Sequence, residues 1–216
     1  MKPRSQILHE LVNPGIVAVI RADSSAQLLH VAEALQKGGL PAMEVTMTTP
    51  NALRVIEEVT KKFGKDILMG VGTILDTETC RAAILAGAEF VVTPVLKPDV
   101  IALCRRYGRP IICGAYTPTE ILAAWECGAD FVKVFPADGL GPNYIKAVKA
   151  PLPQVEIIPT GGVDVNTAGD FIKAGCAAVA AGSSLVSKKV LQTQNWAELT
   201  DTAKKFVEAV AKARAK

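Results

Sequence analysis

Aromatic residues are scarce in this chain of 216 residues: they make up 5% of it, although 50% of the residues are hydrophobic. The apolar content is therefore mostly alanine, valine, isoleucine and leucine, the residue types of parallel strands that helices cover on both faces. Single α/β barrels run from about 200 residues upward, so the length is sufficient for one. We expect a single domain over residues 1–216.

Histidine and cysteine are also few, which removes several kinds of site. The five cysteines form no CxxC pair and their number is odd, so they indicate neither a metal site nor a disulfide framework. The two histidines, His9 and His30, fall in helical stretches near the N-terminus, whereas a catalytic histidine would be needed at a strand end. We expect reduced thiols, no metal and no cofactor.

Charge and long hydrophobic runs are equally limited. The formal net charge is +3 and the basic residues are scattered, which argues against a nucleic-acid partner. The first ten residues, MKPRSQILHE, lack the apolar run of a signal peptide. No stretch approaches the ~20 apolar residues that span a membrane. These absences predict a cytoplasmic protein with no membrane partner.

Short apolar runs alternate with longer amphipathic segments along the whole chain. The runs are typical of strands and the segments have the spacing of helices. Glycines follow many of the helical segments, as they do at helix C-termini. The pattern predicts eight strands, at Ile16–Ile20, Ala42–Thr46, Ile67–Gly72, Glu89–Thr93, Pro110–Gly114, Asp130–Phe135, Val155–Thr160 and Ala177–Ala181.

Eight strand–helix repeats predict an α/β fold, a (β/α)8 TIM barrel. The structural alternative is a doubly wound open sheet, which usually has five or six strands. We expect a short helix over Ser5–Val12 at the bottom of the barrel, and a last amphipathic helix from Trp196.

Lys133 is the first candidate for chemistry. It lies in the apolar run Phe131–Phe135, at the carboxyl end of a strand, where barrels place their active sites. A buried ammonium loses hydration, which favours the neutral amine, and such amines form Schiff bases with carbonyl substrates. The other interpretation is a structural lysine that reaches the rim or pairs with a carboxylate.

Glu44 is the second candidate, in a similar position on the second strand. It shares a face with Ala42 and Thr46, which points into the barrel if Met43 and Val45 face the helices. A carboxylate beside a Schiff-base lysine can transfer the protons of the reaction. Alternatively it is only the ion-pair partner of Lys133.

Polar residues also end the first and third strands. Arg21 follows the first strand and suits a substrate carboxylate or phosphate, unless it is a surface arginine. Thr73 follows Gly72 and offers a hydroxyl and a backbone amide.

Glycine-rich turns follow the seventh and eighth strands, each expected to lead into a helix N-terminus. These are the positions at which barrels bind phosphate through backbone amides. Tight turns without a ligand are the alternative. The donors would be amides of Gly161, Gly162, Gly182, Ser183 and Ser184.

Taken together, these segments resemble the family of 2-keto-3-deoxy-6-phosphogluconate (KDPG) and 4-hydroxy-2-oxoglutarate (KHG) aldolases. The resemblance runs from about Gly15 to Val186. The motifs that carry it are Val19–Ala22, Glu44–Thr46, Gly72–Thr73, Thr93–Pro94, Thr117–Glu120, Lys133–Ala137, Pro159–Val163 and Gly182–Val186.

The resemblance implies a role for each site residue. Lys133 would form the Schiff base, and Glu44 would be the general acid and base. Arg21 and Thr73 would hold the pyruvate carboxylate. The remaining residues would pack around the pyruvyl unit or bind the distal phosphate: Pro94, Phe135, Thr160, Gly161, Gly162, Gly182, Ser183 and Ser184.

The resemblance also implies the reaction: cleavage of phosphorylated KDPG to pyruvate and glyceraldehyde 3-phosphate by a homotrimer that needs no metal. Action on the galactonate epimer, or on 4-hydroxy-2-oxoglutarate, is the nearest alternative. More distant ones are another phosphosugar-barrel enzyme and a non-catalytic assembly subunit.

Three positions depart from the family pattern. Thr48 stands where some members carry an arginine, and Arg21 is expected to supply the compensating charge. Thr93 stands where many have serine, and Cys113 where many have proline. These changes leave the lysine chemistry intact and concern the far end of the substrate.

Overall fold

The computed structural model describes residues 2–21 and 25–215. Its strands are β1 (Ile16–Ile20), β2 (Ala42–Thr46), β3 (Leu68–Gly72), β4 (Phe90–Val92), β5 (Ile111–Ala115), β6 (Phe131–Val134), β7 (Ile157–Pro159) and β8 (Val179–Ala181). These eight strands form one sheet, in the order β7-β6-β5-β4-β3-β2-β1-β8. A parallel bridge between Thr160 and Ala180 brings its two edges together. The predicted barrel is confirmed, and the open sheet is excluded.

Helices alternate with the strands and cover the outside of the barrel. Their bounds are α1 (Arg4–Val12), α2 (Ser25–Lys37), α3 (Ala52–Phe63), α4 (Thr77–Leu85), α5 (Pro98–Arg106), α6 (Pro118–Glu126), α7 (Gly141–Lys149), α8 (Ala168–Lys173), α9 (Lys188–Thr193) and α10 (Trp196–Arg214). Within the described ranges, none of them combines the length and the apolar character that crossing a membrane requires.

The strands are in place, but several are shorter than the sequence predicts. The apolar runs extend beyond the segments that pair. Asp130 precedes β6: its carboxylate accepts a hydrogen bond from the Ile111 amide and pairs with Arg4, while its own amide donates to the Ile111 carbonyl oxygen at 3.2 Å. Thr160 follows β7; its amide donates to the Val134 carbonyl oxygen at 3.0 Å, and it forms an isolated bridge to Ala180. The apolar runs thus continue past the regular ladders into residues that keep isolated backbone hydrogen bonds to the neighbouring strand.

Alternation along the strands separates two apolar cores. One lies inside the barrel and includes Val19, Ala42, Phe90 and Phe131. The other lies between strands and helices and includes Met43 and Val45 with the buried faces of the helices. Since Ala42 points inward and its neighbour Met43 outward, Glu44 also points inward. Lys133 follows Phe131 into the interior by the same alternation.

The N-terminal helix closes one end of the barrel. Ile7 and Leu11 of α1 are fully buried and belong to the inner core, together with Val17 and Leu68. Since the helix precedes β1, it lies at the amino ends of the strands. The opposite, carboxyl end of the barrel is left for a site, as predicted.

Candidate active site

Lys133 and Glu44 meet inside the barrel. The Lys133 Nζ atom lies 3.9 Å from Glu44 Oε1, and both residues are buried. They come from β6 and β2, on opposite sides of the ring. Glu44 Oε2 has no hydrogen-bond partner. A buried carboxylate oxygen without a partner is costly for stability, so this oxygen is available to accept or donate a proton.

Burial changes the acidity of Glu44. Removal from water disfavours the charged form and raises the pKa of the Glu44 carboxyl above its ordinary value of 4.5. The positive charges of Lys133 and Arg21 act in the opposite direction and lower it. Desolvation is the largest of these effects, so the pKa is raised. A carboxyl group of this kind is suited to exchange protons closer to neutral pH.

Glycine provides the space for the Glu44 carboxylate. A Cβ atom on Gly72 would lie 2.8 Å from Glu44 Cδ, closer than atoms normally approach. One layer lower, a Cβ atom on Gly70 would lie 2.3 Å from the Phe90 ring. The two glycines of β3 therefore leave room for side chains: Gly72 for the Glu44 carboxylate, and Gly70 for the Phe90 ring beneath the site.

Phe135 and Arg21 complete the surroundings of the lysine. The Lys133 Nζ atom lies 5.0 Å from the centre of the Phe135 ring, within the range of a cation–π contact. Arg21 is exposed at the end of β1. Its guanidinium lowers the Glu44 pKa from there, which places its charge within electrostatic reach of the pair.

The turns after β7 and β8 are joined to each other. The Ser184 hydroxyl donates to the Val163 carbonyl at 2.6 Å. Gly161 and Gly162 adopt positive φ angles of 94° and 67°, which glycine adopts without strain. The sequence predicted that each turn leads directly into a helix, and this was wrong. The helix α8 starts only at Ala168, and α9 only at Lys188. The predicted phosphate donors would therefore be amides of loops rather than of helix N-termini.

A cavity of roughly 290 Å³ opens at this end of the barrel. It brings together eight of the predicted binding residues: Arg21, Phe135, Thr160, Gly161, Gly162, Gly182, Ser183 and Ser184. The prediction missed four residues of the lining, Val19, Val163, Asp164 and Ala180. Strand alternation could have identified Val19 and Ala180, which are two positions before Arg21 and Gly182.

Thr73 and Pro94 lie outside this lining, beside the glycines Gly72 and Gly114 that neighbour Glu44 and Lys133. Thr73 follows Gly72 and has a φ angle of 61°, which is unusual for a side chain branched at Cβ. Pro94 packs on Gly114, since a Cβ atom there would lie 2.2 Å from the Pro94 carbonyl carbon. Gly114 is in turn paired with Lys133 across β5 and β6.

The structure also locates the three departures from the family pattern. Thr48 is exposed, and its hydroxyl lies 2.8 Å from that of Thr46. The other two are in contact: Thr93 Oγ1 lies 3.5 Å from Cys113 Sγ between β4 and β5. In the part of the chain that is described, no three His, Cys, Asp or Glu side chains are grouped as a metal site would require.

Residues 7–202 match the family model described as KDPG and KHG aldolase. A 2-dehydro-3-deoxy-phosphogluconate aldolase of Haemophilus influenzae is 34% identical over 206 residues, 95% of this chain and 97% of the relative. A 2-dehydro-3-deoxy-6-phosphogalactonate aldolase of Escherichia coli is 33% identical over 171 residues, 79% of this chain and 83% of the relative.

A solved structure matches the fold over nearly its whole length. It is the KDPG aldolase of Legionella pneumophila, with pyruvate captured at low pH as a covalent carbinolamine intermediate. The sequence identity is 26%, the TM-score is 0.83, and the match covers 92% of this chain and 97% of that one.

Proposed function

This chain belongs to the KDPG and KHG aldolase family and is therefore a carbon–carbon lyase. We propose that it is a class I aldolase that cleaves 2-dehydro-3-deoxy-6-phosphogluconate to pyruvate and glyceraldehyde 3-phosphate. The observation that carries this proposal is the buried pair of Lys133 and Glu44, 3.9 Å apart beside a cavity with two glycine-rich turns.

The reaction begins at the Lys133 amine. Neutral Nζ attacks the C2 carbonyl of the substrate, and the carbinolamine loses water to give an iminium. The Lys133 amine is buried and has few polar neighbours. This burial keeps it from water and holds it at one position. The protonated nitrogen then accepts the electrons of the C3–C4 bond as that bond breaks. Because the iminium is the electron sink, the cleavage requires neither a metal nor a cofactor.

Glu44 transfers the protons. Its Oε2 atom takes the proton of the C4 hydroxyl during cleavage, directly or through a water molecule, and the aldehyde leaves. The proton is returned to C3 of the enamine, and hydrolysis releases pyruvate and the free lysine. The support for this role is a carboxyl group with a raised pKa and an oxygen without a partner, next to the amine.

The substrate extends from the buried pair to the two turns. Arg21 and Thr73 hold the carboxylate, while Pro94 and Phe135 pack around the pyruvyl unit. The phosphate accepts hydrogen bonds at the far end of the cavity. Its donors are the residues of the two turns, Thr160, Gly161, Gly162, Gly182, Ser183 and Ser184.

The epimer at C4, 2-dehydro-3-deoxy-6-phosphogalactonate, is a second candidate substrate, favoured by the Escherichia coli relative. 4-Hydroxy-2-oxoglutarate is a third, favoured by the family. These substrates are ranked by their kcat/KM values, measured in each case from the rate at which pyruvate is released. A higher value for either alternative would replace the proposed substrate.

We also propose that the protein is a cytoplasmic homotrimer with one domain over residues 1–216. The contact between subunits is supported by a set of exposed apolar side chains on the loops after β3, β4 and β5, called the rim patch: Leu75, Val95 and Tyr116. Exposed apolar surface of this kind is typical of a contact with another protein. Light scattering gives the number of subunits.

The Schiff base is tested by incubation with pyruvate and borohydride, followed by mass spectrometry of the intact protein and its peptides. We expect one pyruvyl adduct, on Lys133, and none in Lys133→Ala, which should also lose turnover. Lys146→Ala, at an exposed lysine of α7, is the control and should keep both. Substantial activity of folded Lys133→Ala would exclude the mechanism.

A further inference from the structure

Thr93 lies behind the wall of the site, where no substrate can reach it. It follows β4, is fully buried, and occupies the outward-facing position between Val92, which points into the barrel, and Pro94. Its neighbour Cys113 belongs to the outer core between strands and helices. None of the cavity-lining residues is in this part of the barrel, and the mechanism above does not use Thr93.

The Thr93 hydroxyl joins two strands at their carboxyl ends. It donates to the Val95 carbonyl oxygen at 2.8 Å and accepts from the Gly114 amide at 3.0 Å. The Cys113 thiol lies farther away, at 3.5 Å. Because a hydroxyl has a single proton, that proton goes to the nearer, stronger acceptor. One side chain thus ties the turn after β4 to the end of β5.

The Pro94–Val95 turn packs against β5, the strand next to the one that carries Lys133. A Cβ atom on Gly114 would lie 2.2 Å from the Pro94 carbonyl carbon and 2.4 Å from the Val95 nitrogen, so the backbone of the turn occupies the space that glycine leaves. Gly114 is paired with Lys133 in the register of β5 and β6. The line of contact therefore runs from Thr93 through the turn and Gly114 to Lys133.

We propose that Thr93 is a positioning residue: its hydroxyl clamps the Pro94–Val95 turn onto Gly114, and the turn fixes the wall beside the Lys133 amine. Without the hydroxyl, the Val95 carbonyl and the Gly114 amide lose a buried partner. The turn then shifts to regain hydrogen bonds, and Pro94 leaves its place beside the lysine. This inference rests on the proposed function, because the amine must be the nucleophile for its wall to matter.

The test compares Thr93→Val, which keeps the shape and removes the hydroxyl, with Thr93→Ser, which keeps the hydroxyl. The readouts are the rate of pyruvate trapping by borohydride, kcat, KM and Tm. We expect Thr93→Val to lower kcat and the trapping rate by roughly tenfold to a hundredfold, the loss that misplacement of a reacting group by about 1 Å produces. KM should change less, and Thr93→Ser should recover most of the loss.

Cys113→Ala is the control at the same contact between the ends of β4 and β5. It removes the thiol, which also lies 3.8 Å from the Val95 carbonyl oxygen, and leaves both shorter hydrogen bonds of the hydroxyl, so kcat should stay near that of the parent protein. If Thr93→Val does not fold, Thr93→Ala is measured in its place. A lower Tm with unchanged kcat and trapping rate would overturn the proposal, as would failure of both variants to fold, because the hydroxyl would then support only the fold.

The two proposals fail in different ways. If the parent protein forms no pyruvyl adduct on Lys133, the Schiff-base mechanism is wrong and the positioning role falls with it. If the parent protein forms the adduct and folded Thr93→Val forms it equally fast, the mechanism stands and the role of Thr93 is wrong.

Discussion

Glu44 lies between two opposing influences. Complete burial disfavours its charge, and two cations, Lys133 and Arg21, favour it. The burial is the stronger influence, so the pKa of the carboxyl is above 4.5. A base with a raised pKa is protonated, and therefore inactive, over a wider range of acidic pH than an ordinary glutamate. The pH dependence of the reaction should report this.

We expect kcat/KM to fall as the pH decreases through the raised pKa of Glu44, so that the acid limb lies above pH 4.5. Glu44→Gln cannot accept a proton and should lose this limb, together with roughly 10²–10⁴-fold in kcat. Initial rates measured across the pH range, with enzyme that is stable at each pH, give the profile.

A matched control for this profile is Glu89→Gln, because Glu89 is also buried but lies near the N-terminal segment, where it accepts a hydrogen bond from the Lys2 amide. This variant should keep the acid limb of the parent. An unchanged limb in Glu44→Gln would show that another group is titrating.

The sequence pointed to the two side chains that are proposed to react, Lys133 and Glu44, because alternation along a strand determines which side chains share a face. By this rule Lys133 shares a face with Phe131 and Glu44 with Ala42, and the structure shows that both faces point into the barrel. The rule does not determine how near two inward side chains from different strands approach. The distance of 3.9 Å depends on the register around the barrel and on the room that Gly72 provides.

The helix α1 closes the amino end of the barrel. It buries Ile7 and Leu11 against the inner core and contacts β1 and β3. Without it, the interior would be open to water at the end opposite the site. Its contribution should be to stability, since no side chain of α1 reaches the cavity.

We expect Leu11→Ala to lower the free energy of unfolding by about 2–5 kcal/mol, the usual cost of a cavity in a core. Thermal denaturation should show a decrease in Tm of roughly 4–20 °C. His9→Ala, at an exposed position of the same helix, should change Tm little. A large loss of kcat in Leu11→Ala well below its Tm would contradict this separation of stability from catalysis.

The order of the elements was predicted correctly from the sequence, but their boundaries were predicted less accurately. The apolar runs predicted longer strands at β6, β7 and β8 than the structure contains. Just before β6, the Asp130 carboxylate accepts a hydrogen bond from the Ile111 amide of the neighbouring strand. That partner is distant in sequence, so hydrophobicity along the strand carries no information about it.

At the scale of the whole molecule, the rim patch bears on the assembly. Leu75 is 51% exposed and Val95 is 52% exposed. Their loops follow adjacent strands, so the two side chains are on the same part of the rim. A contact there would place a second subunit next to the turn that holds Pro94.

We expect Leu75→Asp to convert the proposed trimer to monomers, because a charge on the rim patch would be buried without a partner in the contact. Light scattering measures the mass. Leu85→Asp is the control: Leu85 is 64% exposed but ends α4, at the opposite end of the barrel. Trimers in both variants would show that the rim patch is not the contact.

The sequence by itself determined the number and order of the strands, predicted the barrel that they form, and placed Lys133 on one face with Phe131 and Glu44 on one face with Ala42. These properties follow from local periodicity, which each segment carries on its own. Only the tertiary structure decided the rest: the approach of the amine to the carboxylate, the composition of the cavity wall, and the clamp of Thr93 on Gly114. Each of these joins residues from different strands, and their distance depends on the closure and register of the barrel rather than on any one segment.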